Sequence, residues 1–150
     1  MTRVLPLSET GAAADCVDLL SETSPATLRD LSACARFGLK GPGADTWFAR
    51  HATLPPVNRW APLDGTRLLR LGVRDIMVLA EPSAPRPVEA MRADWEAGSE
   101  GHSSWREETW AWLRLAGPAA IDVASRLTAV DLPPKTFGPD QTLQTRFAHL

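Results

Sequence analysis

A chain of 150 residues can bury about 68–70% of the surface that its unfolded form exposes, so its core needs neither a disulfide framework nor a metal. Its 44% hydrophobic and 23% charged residues fit one globular domain or a compact pair of half-domains. A net charge of −2 supplies no basic face, which argues against nucleic acid or a membrane surface as partner.

Two cysteines, Cys16 and Cys34, form no framework and read as thiols of a reduced compartment. No run approaches the roughly 18 apolar residues of a membrane span. The one leader-like stretch, GAAADCVDLL, is interrupted by Asp15 and Asp18, so a cytoplasmic protein is expected. Six tryptophans with no tyrosine suggest that some indoles serve an interface rather than a core.

In chain order, residues 1–24 lack periodicity and read as an extended arm with a short helix over 16–20. Ser24-Pro25 looks like an N-cap with proline at the first helical position, predicting a single helical turn through Leu31. ACARFGLKG alternates, with Ala35, Phe37 and Leu39 on one side, as a half-buried strand does. Gly41-Pro42 ends it and opens a helix whose Ala44, Trp47, Phe48 and His51 line one face. Pro55-Pro56 stops that helix, and Asp64-Gly65 marks a turn.

TRLLRL and DIMVLA then read as two strands about a turn over 72–74. Val88, Met91 and Trp95 mark an amphipathic helix over 86–97, and GSEGHSS a polar loop. TWAWLRLAG is predicted as a strand, PAAIDVASRLTAV as its helix, and TLQTRFAHL as the start of a last strand. The order predicts an α+β fold, with a ferredoxin-like βαββαβ arrangement followed by a partial second β-α-β repeat.

The chain repeats itself. Gly41-Pro42 lies over Gly117-Pro118, Ala44 over Ala120 and Arg50 over Arg126, and both copies leave through Leu-Pro-Pro, at 54–56 and 132–134. The faces correspond too: Ala35, Phe37 and Leu39 match Ala111, Leu113 and Leu115. A shared turn, with glycine free to adopt unusual backbone angles and proline presetting the first helical one, accounts for the likeness without shared chemistry. The second copy breaks off after TLQTRFAHL, so either the sequence is cut short at Leu150 or that last strand has an open edge for a partner to cover.

Catalytic constellations are sparse. Gly41-Pro42-Gly43 lacks the Lys-Ser/Thr of a phosphate loop, and proline removes one N–H that would hold an anion. His51, His102 and His149 have no partners at metal-ligand spacing, so no metal is expected. Glu107 and Glu108, adjacent on a strand, would point to opposite faces and not converge. Neither a nucleophile elbow nor a cysteine with a nearby base is present, and no catalytic residue is assigned.

Trp110 and Trp112 share a face opposite Leu113 and Leu115, and Arg36, Gly38 and Lys40 map to the same face of the first copy. That face must meet a helix layer, a stacked aromatic ligand such as a pterin, or another subunit. The pattern leaves all three open, with Trp110 and Trp112 the candidate cofactor-binding residues.

LRDLSACARFGLKGPGADTWF resembles the opening of the aminomethyltransferase domain of the glycine cleavage system, a folate-binding fold. LKGPGADTWFARHATLPPVNRW, LRLGVRDIMVLAEP, LRLAGPAA and VDLPPKTFGPDQTLQTRFAHL look more narrowly like the gamma subunit of heterotetrameric sarcosine oxidase. The resemblance spans about residues 28–150, which makes 1–27 an N-terminal arm and 28–150 a gamma-like domain with an incomplete C-terminal repeat.

What the resemblance implies is a non-catalytic accessory subunit, partnered by alpha and beta subunits, in a complex that oxidatively demethylates sarcosine or a related N-methyl amino acid. FAD, FMN, NAD and tetrahydrofolate would sit on the other subunits, and the isolated chain could pair as a homodimer. Where the family often has a Val-Asp-x-Ser-like segment, this sequence has Ser104-Trp105-Arg106-Glu107-Glu108, a departure that weakens any folate role. The alternative is a stand-alone folate- or pterin-binding module of the same fold.

Overall fold

The computed structural model describes residues 17–18, 25–81, 86–98, 101–103, 109–132 and 135–146. Its strands are β1 (Val17–Asp18), β2 (Thr27–Asp30), β3 (Arg36–Lys40), β4 (Arg59–Leu63), β5 (Thr66–Gly72), β6 (Asp75–Ala80), β7 (His102–Ser103) and β8 (Leu113–Ala116). Its helices are α1 (Ala44–Ala49), α2 (Arg86–Gly98) and α3 (Ala120–Leu127). One sheet has the order β4-β5-β6-β3-β7 and the other β1-β2-β8. Every pairing in both is antiparallel.

The larger sheet is built from tight local turns. Asp64 and Gly65 both take positive φ, 45° and 74°, the geometry that matches a two-residue hairpin to the twist of its strands. They join β4 to β5, and Val73-Arg74 joins β5 to β6. Strand β4 carries Pro62, which hid it in the sequence. Proline is tolerated there because β4 lies at the end of the sheet.

Phe37, Leu39, Leu68, Ile76, Val78 and Ala80 project to one face and meet Trp47 and Phe48 of α1 and Val88 of α2. Phe37 packs edge-on against Trp47 at 5.7 Å, and Trp47 against Phe48 at 4.9 Å. Each such side chain, fully removed from water, contributes about 1.5–3 kcal/mol. These residues are the hydrophobic core.

The mixed α+β class with antiparallel sheets is as the sequence predicts. The strand expected to follow α2 back into the same sheet does not do so: β8 pairs with β2, from Thr27↔Ala116 to Asp30↔Leu113. The place beside β3 is held by the two residues of β7, through Leu39↔Ser103 and Lys40↔His102. Each copy of the repeat thus lends the strand that precedes it to the other copy. The turn glycines record the exchange. Gly41, at φ 90°, leaves a Cβ only 3.3 Å from His102 of β7, and Gly117, at φ 107°, leaves one 2.7 Å from the carbonyl of Pro25, just ahead of β2.

Four other expectations are corrected. Residues 25–31 hold strand β2 rather than a helical turn, because the ladder to β8 overrides the local Ser-Pro signal. Val17–Asp18, expected near a short helix, pairs with Asp30 and Arg29. Pro42 precedes α1 by two residues, and Gly43, at φ 86°, takes the cap position. Strand β3 is buried on both faces rather than half-buried, with Arg36 1% exposed beside Phe37.

Residues 142–146 form no strand. The segment is tied to β4 by a single bridge, Arg59↔Gln141, by the Thr142 N–H to the Asn58 carbonyl (2.8 Å), and by the Trp60 indole to the Pro139 carbonyl (2.9 Å). The expected open edge at TLQTRFAHL is therefore not seen over its described residues, and 147–150 lie outside them.

Candidate functional site

The larger sheet has a second apolar face. Strands β5 and β6 place Leu69, Leu71, Met77 and Leu79 opposite the helices, and Arg36 of β3 joins them. Two irregular segments flank this face, 110–112 from one side and 142–144 from the other, and form with it a half-open pocket of about 330 Å³. That volume lies at the small end of ligand sites. The signal for a doubly covered sheet was present in TRLLRL and DIMVLA, whose apolar residues run on consecutive positions instead of alternating. Thr142 and Gln144, contributed by the second flanking segment, carried no such signal.

Trp110 and Trp112 are brought together here as the repeat alignment predicts, with Arg36 on the facing strand. They reach the cavity by a different route. The β8 ladder begins only at Leu113, and the chain before it leaves the extended conformation, so Ala111 lines the cavity as well. Arg36 Nη2 donates to the Trp110 carbonyl at 2.6 Å. The Ser32 hydroxyl accepts the Trp112 N–H at 2.9 Å, and the Leu31 N–H reaches the Trp112 carbonyl at 2.7 Å. On the other side the Gln144 amide donates to the Leu71 carbonyl at 3.0 Å. Such a cavity can enclose a flat apolar group or a partner's side chains, but it offers no proton-transfer pair.

The remaining candidates are dispersed. The His51 ring, just past α1, lies tilted against Trp47 at 4.2 Å, and its Nε2 is 3.2 Å from the Asp94 carboxylate of α2. His102 is exposed in β7, opposite Lys40. His149, Cys16, Glu107 and Glu108 lie outside the described residues. No cluster of metal-ligating side chains occurs among the described residues. None of their helices is long and apolar enough to cross a membrane.

A second feature is the half built by β2, β8 and α3. Helix α3 has apolar residues at Ala120, Val123, Ala124 and Leu127 on one side, yet none of its residues is buried. Leu113, Ile121 and Leu127 are 42%, 44% and 39% exposed. Ionic contacts hold this half to the larger sheet: Glu81, just past β6, accepts from Arg114 of β8 at 2.7 Å and from Arg67 of β5 at 2.8 Å. The Arg114 hydrogen bond, opposed by partial burial and reinforced by Arg67 and both positive charges, holds the Glu81 carboxyl below its ordinary pKa.

No family model matches the chain, and no curated protein matches it. Among solved structures it is similar to a chain of "Heterotetrameric Sarcosine Oxidase from Corynebacterium sp. U-96 in complex with pyrrole 2-carboxylate". The TM-score is 0.66 at 24% identity, over 83% of this chain and 67% of that one. The two share a fold. The likeness read in the sequence motifs is thus matched by one in three dimensions.

Proposed function

We propose that this protein is a gamma-type accessory subunit of a sarcosine-oxidase-type flavoprotein complex, without an active site of its own. One observation carries the reading: in a fold shared with a chain of a heterotetrameric oxidase, helix α3 is amphipathic yet none of its residues is fully buried. The matched chain is roughly a quarter longer than this one by the two coverages. On this reading the fold is a derivative of the folate-binding aminomethyltransferase architecture with a partial second repeat. The alpha and beta subunits are its cytoplasmic partners, and the flavins, NAD and tetrahydrofolate belong to them. The substrate class is sarcosine or a related N-methyl amino acid such as N-methylglutamate.

The test is co-expression of the full chain with the flavoprotein subunits of that type from the same genome. Co-purification in fixed ratio is the expected result. An active flavoprotein that assembles fully while this chain stays apart would refute the reading.

The cavity favours a second reading, a folate- or pterin-binding module in which Trp110 or Trp112 stacks on the ligand. Titration with tetrahydrofolate would then quench the tryptophan emission strongly. An unchanged spectrum at saturating concentrations would remove that reading.

A further inference from the structure

Beyond both readings above, we propose that the half-open pocket on β5 and β6 binds a small neutral aromatic molecule with a single hydrogen-bonding group at its edge, of the phenol or indole class. The floor of the pocket is apolar, made by Leu69, Leu71, Met77 and Leu79. Trp110 and Leu143, on its opposite sides, remain 47% and 43% exposed. Apolar surface left wet in this way gains from a ring that displaces the water. A volume of about 330 Å³ suits one or two fused rings and is short of an extended ligand such as a whole folate.

The polar groups of the walls narrow the class further, because they are largely engaged with one another. Arg36 Nη2 donates to the Trp110 carbonyl, and the Gln144 amide to the Leu71 carbonyl. The Trp112 N–H and C=O are taken by Ser32 and Leu31, and the Thr142 N–H donates to the Asn58 carbonyl. The Thr142 hydroxyl differs: it is buried and has no hydrogen-bond partner. A hydroxyl both donates and accepts, and rotation about a single side-chain bond re-aims it. Turned to the pocket, it meets a phenol O–H or an indole N–H and regains the bond it lacks.

Other ligands fit worse. No carboxylate lines the pocket among the described residues, so the ammonium of an N-methyl amino acid has no counter-charge there. A pterin has several donors and acceptors around its edge, and most of them would be buried without partners.

The test is titration of the full isolated chain, isotopically labelled, with p-cresol, indole, toluene and tetrahydrofolate, followed by amide chemical shifts. Saturable shifts confined to the pocket are expected with p-cresol and indole, at dissociation constants below about 1 mM. Thr142→Val keeps the side-chain shape and removes the hydroxyl. It is expected to weaken p-cresol about three- to tenfold, to leave toluene no weaker and to leave thermal unfolding of the chain unchanged. Leu79→Trp fills the pocket and is expected to abolish the shifts.

Absence of saturable shifts with p-cresol and indole would overturn the inference, as would p-cresol binding that Thr142→Val leaves unchanged. Displacement of p-cresol by tetrahydrofolate would overturn it in favour of the pterin reading. Binding that is present in the isolated chain and lost in the co-purified complex would give the pocket to a partner's side chain and overturn it as well. The subunit reading stands or falls separately, by co-purification. If Leu79→Trp does not fold, Thr142→Val decides by itself.

Discussion

The two copies of the repeat share a turn and differ in their neighbours. In the first, the Ala44 N–H donates to the Gly41 carbonyl at 3.2 Å; in the second, the Ala120 N–H donates to the Gly117 carbonyl at 3.1 Å. Yet Trp47 and Phe48 of α1 are 1% and 0% exposed, whereas their counterparts in α3, Val123 and Ala124, are only half-buried. The difference lies outside both segments. Helix α1 sits over β6 and α2 completes that core, while the β8–α3 half has no counterpart of either among the described residues. A local motif fixes backbone geometry, and its energetic weight comes from what is laid against it.

Substitution can break this contrast. The largest effect is expected from Trp47→Ala, which empties the centre of the aromatic cluster and should cost about 3–5 kcal/mol in urea unfolding. Val123→Ala, at the equivalent position of the second copy, should cost less than about 1 kcal/mol in the isolated chain. Similar losses at the two sites would mean that α3 is packed after all.

Next comes Gly117→Ala. The backbone there is left-handed and the new Cβ would meet the Pro25 carbonyl at 2.7 Å, so a cost of about 1–3 kcal/mol is expected in the same measurement. Gly41→Ala meets only the His102 ring at 3.3 Å, which can give way, and should cost less. If the strand exchange is wrong, the two glycines should behave alike.

The smallest effect concerns the ionic tie. Glu81→Gln should cost about 0.2–1 kcal/mol at neutral pH, since its arginine partners are well exposed. Its pH dependence has a fixed sign. A carboxyl whose pKa is lowered on folding stabilises the fold above its unfolded value, and that contribution fades as pH falls through the folded value. Thermal melts of wild type and variant should therefore differ at pH 7 and converge below about pH 4. A gap that persists in acid would mean that Glu81 acts through packing rather than charge.

Much of the larger sheet was legible because its signals are local. Hydrophobic period, the Asp64-Gly65 turn and the Gly-Pro turns each act within a few residues, and β3, α1, β5, β6 and α2 all lie where those signals put them. Strand β4 was hidden by Pro62, and β2 by a Ser-Pro pair that mimics a helix start. The cavity was half legible. Trp110, Trp112 and Arg36 were placed on one face from the repeat, but Thr142 and Gln144 come from a segment whose docking on β4 depends on contacts some 80 residues away.

By itself, then, the sequence determined the duplicated strand-turn-helix unit and its helix-facing residues. Only the tertiary structure decided that the copies exchange β2 and β7, and that the helix of the first copy is buried while, among the described residues, that of the second is not. The reason is physical. Turns and amphipathic faces are set by residues close in the chain, whereas strand partners are chosen by non-local ladders that a local pattern permits but does not select.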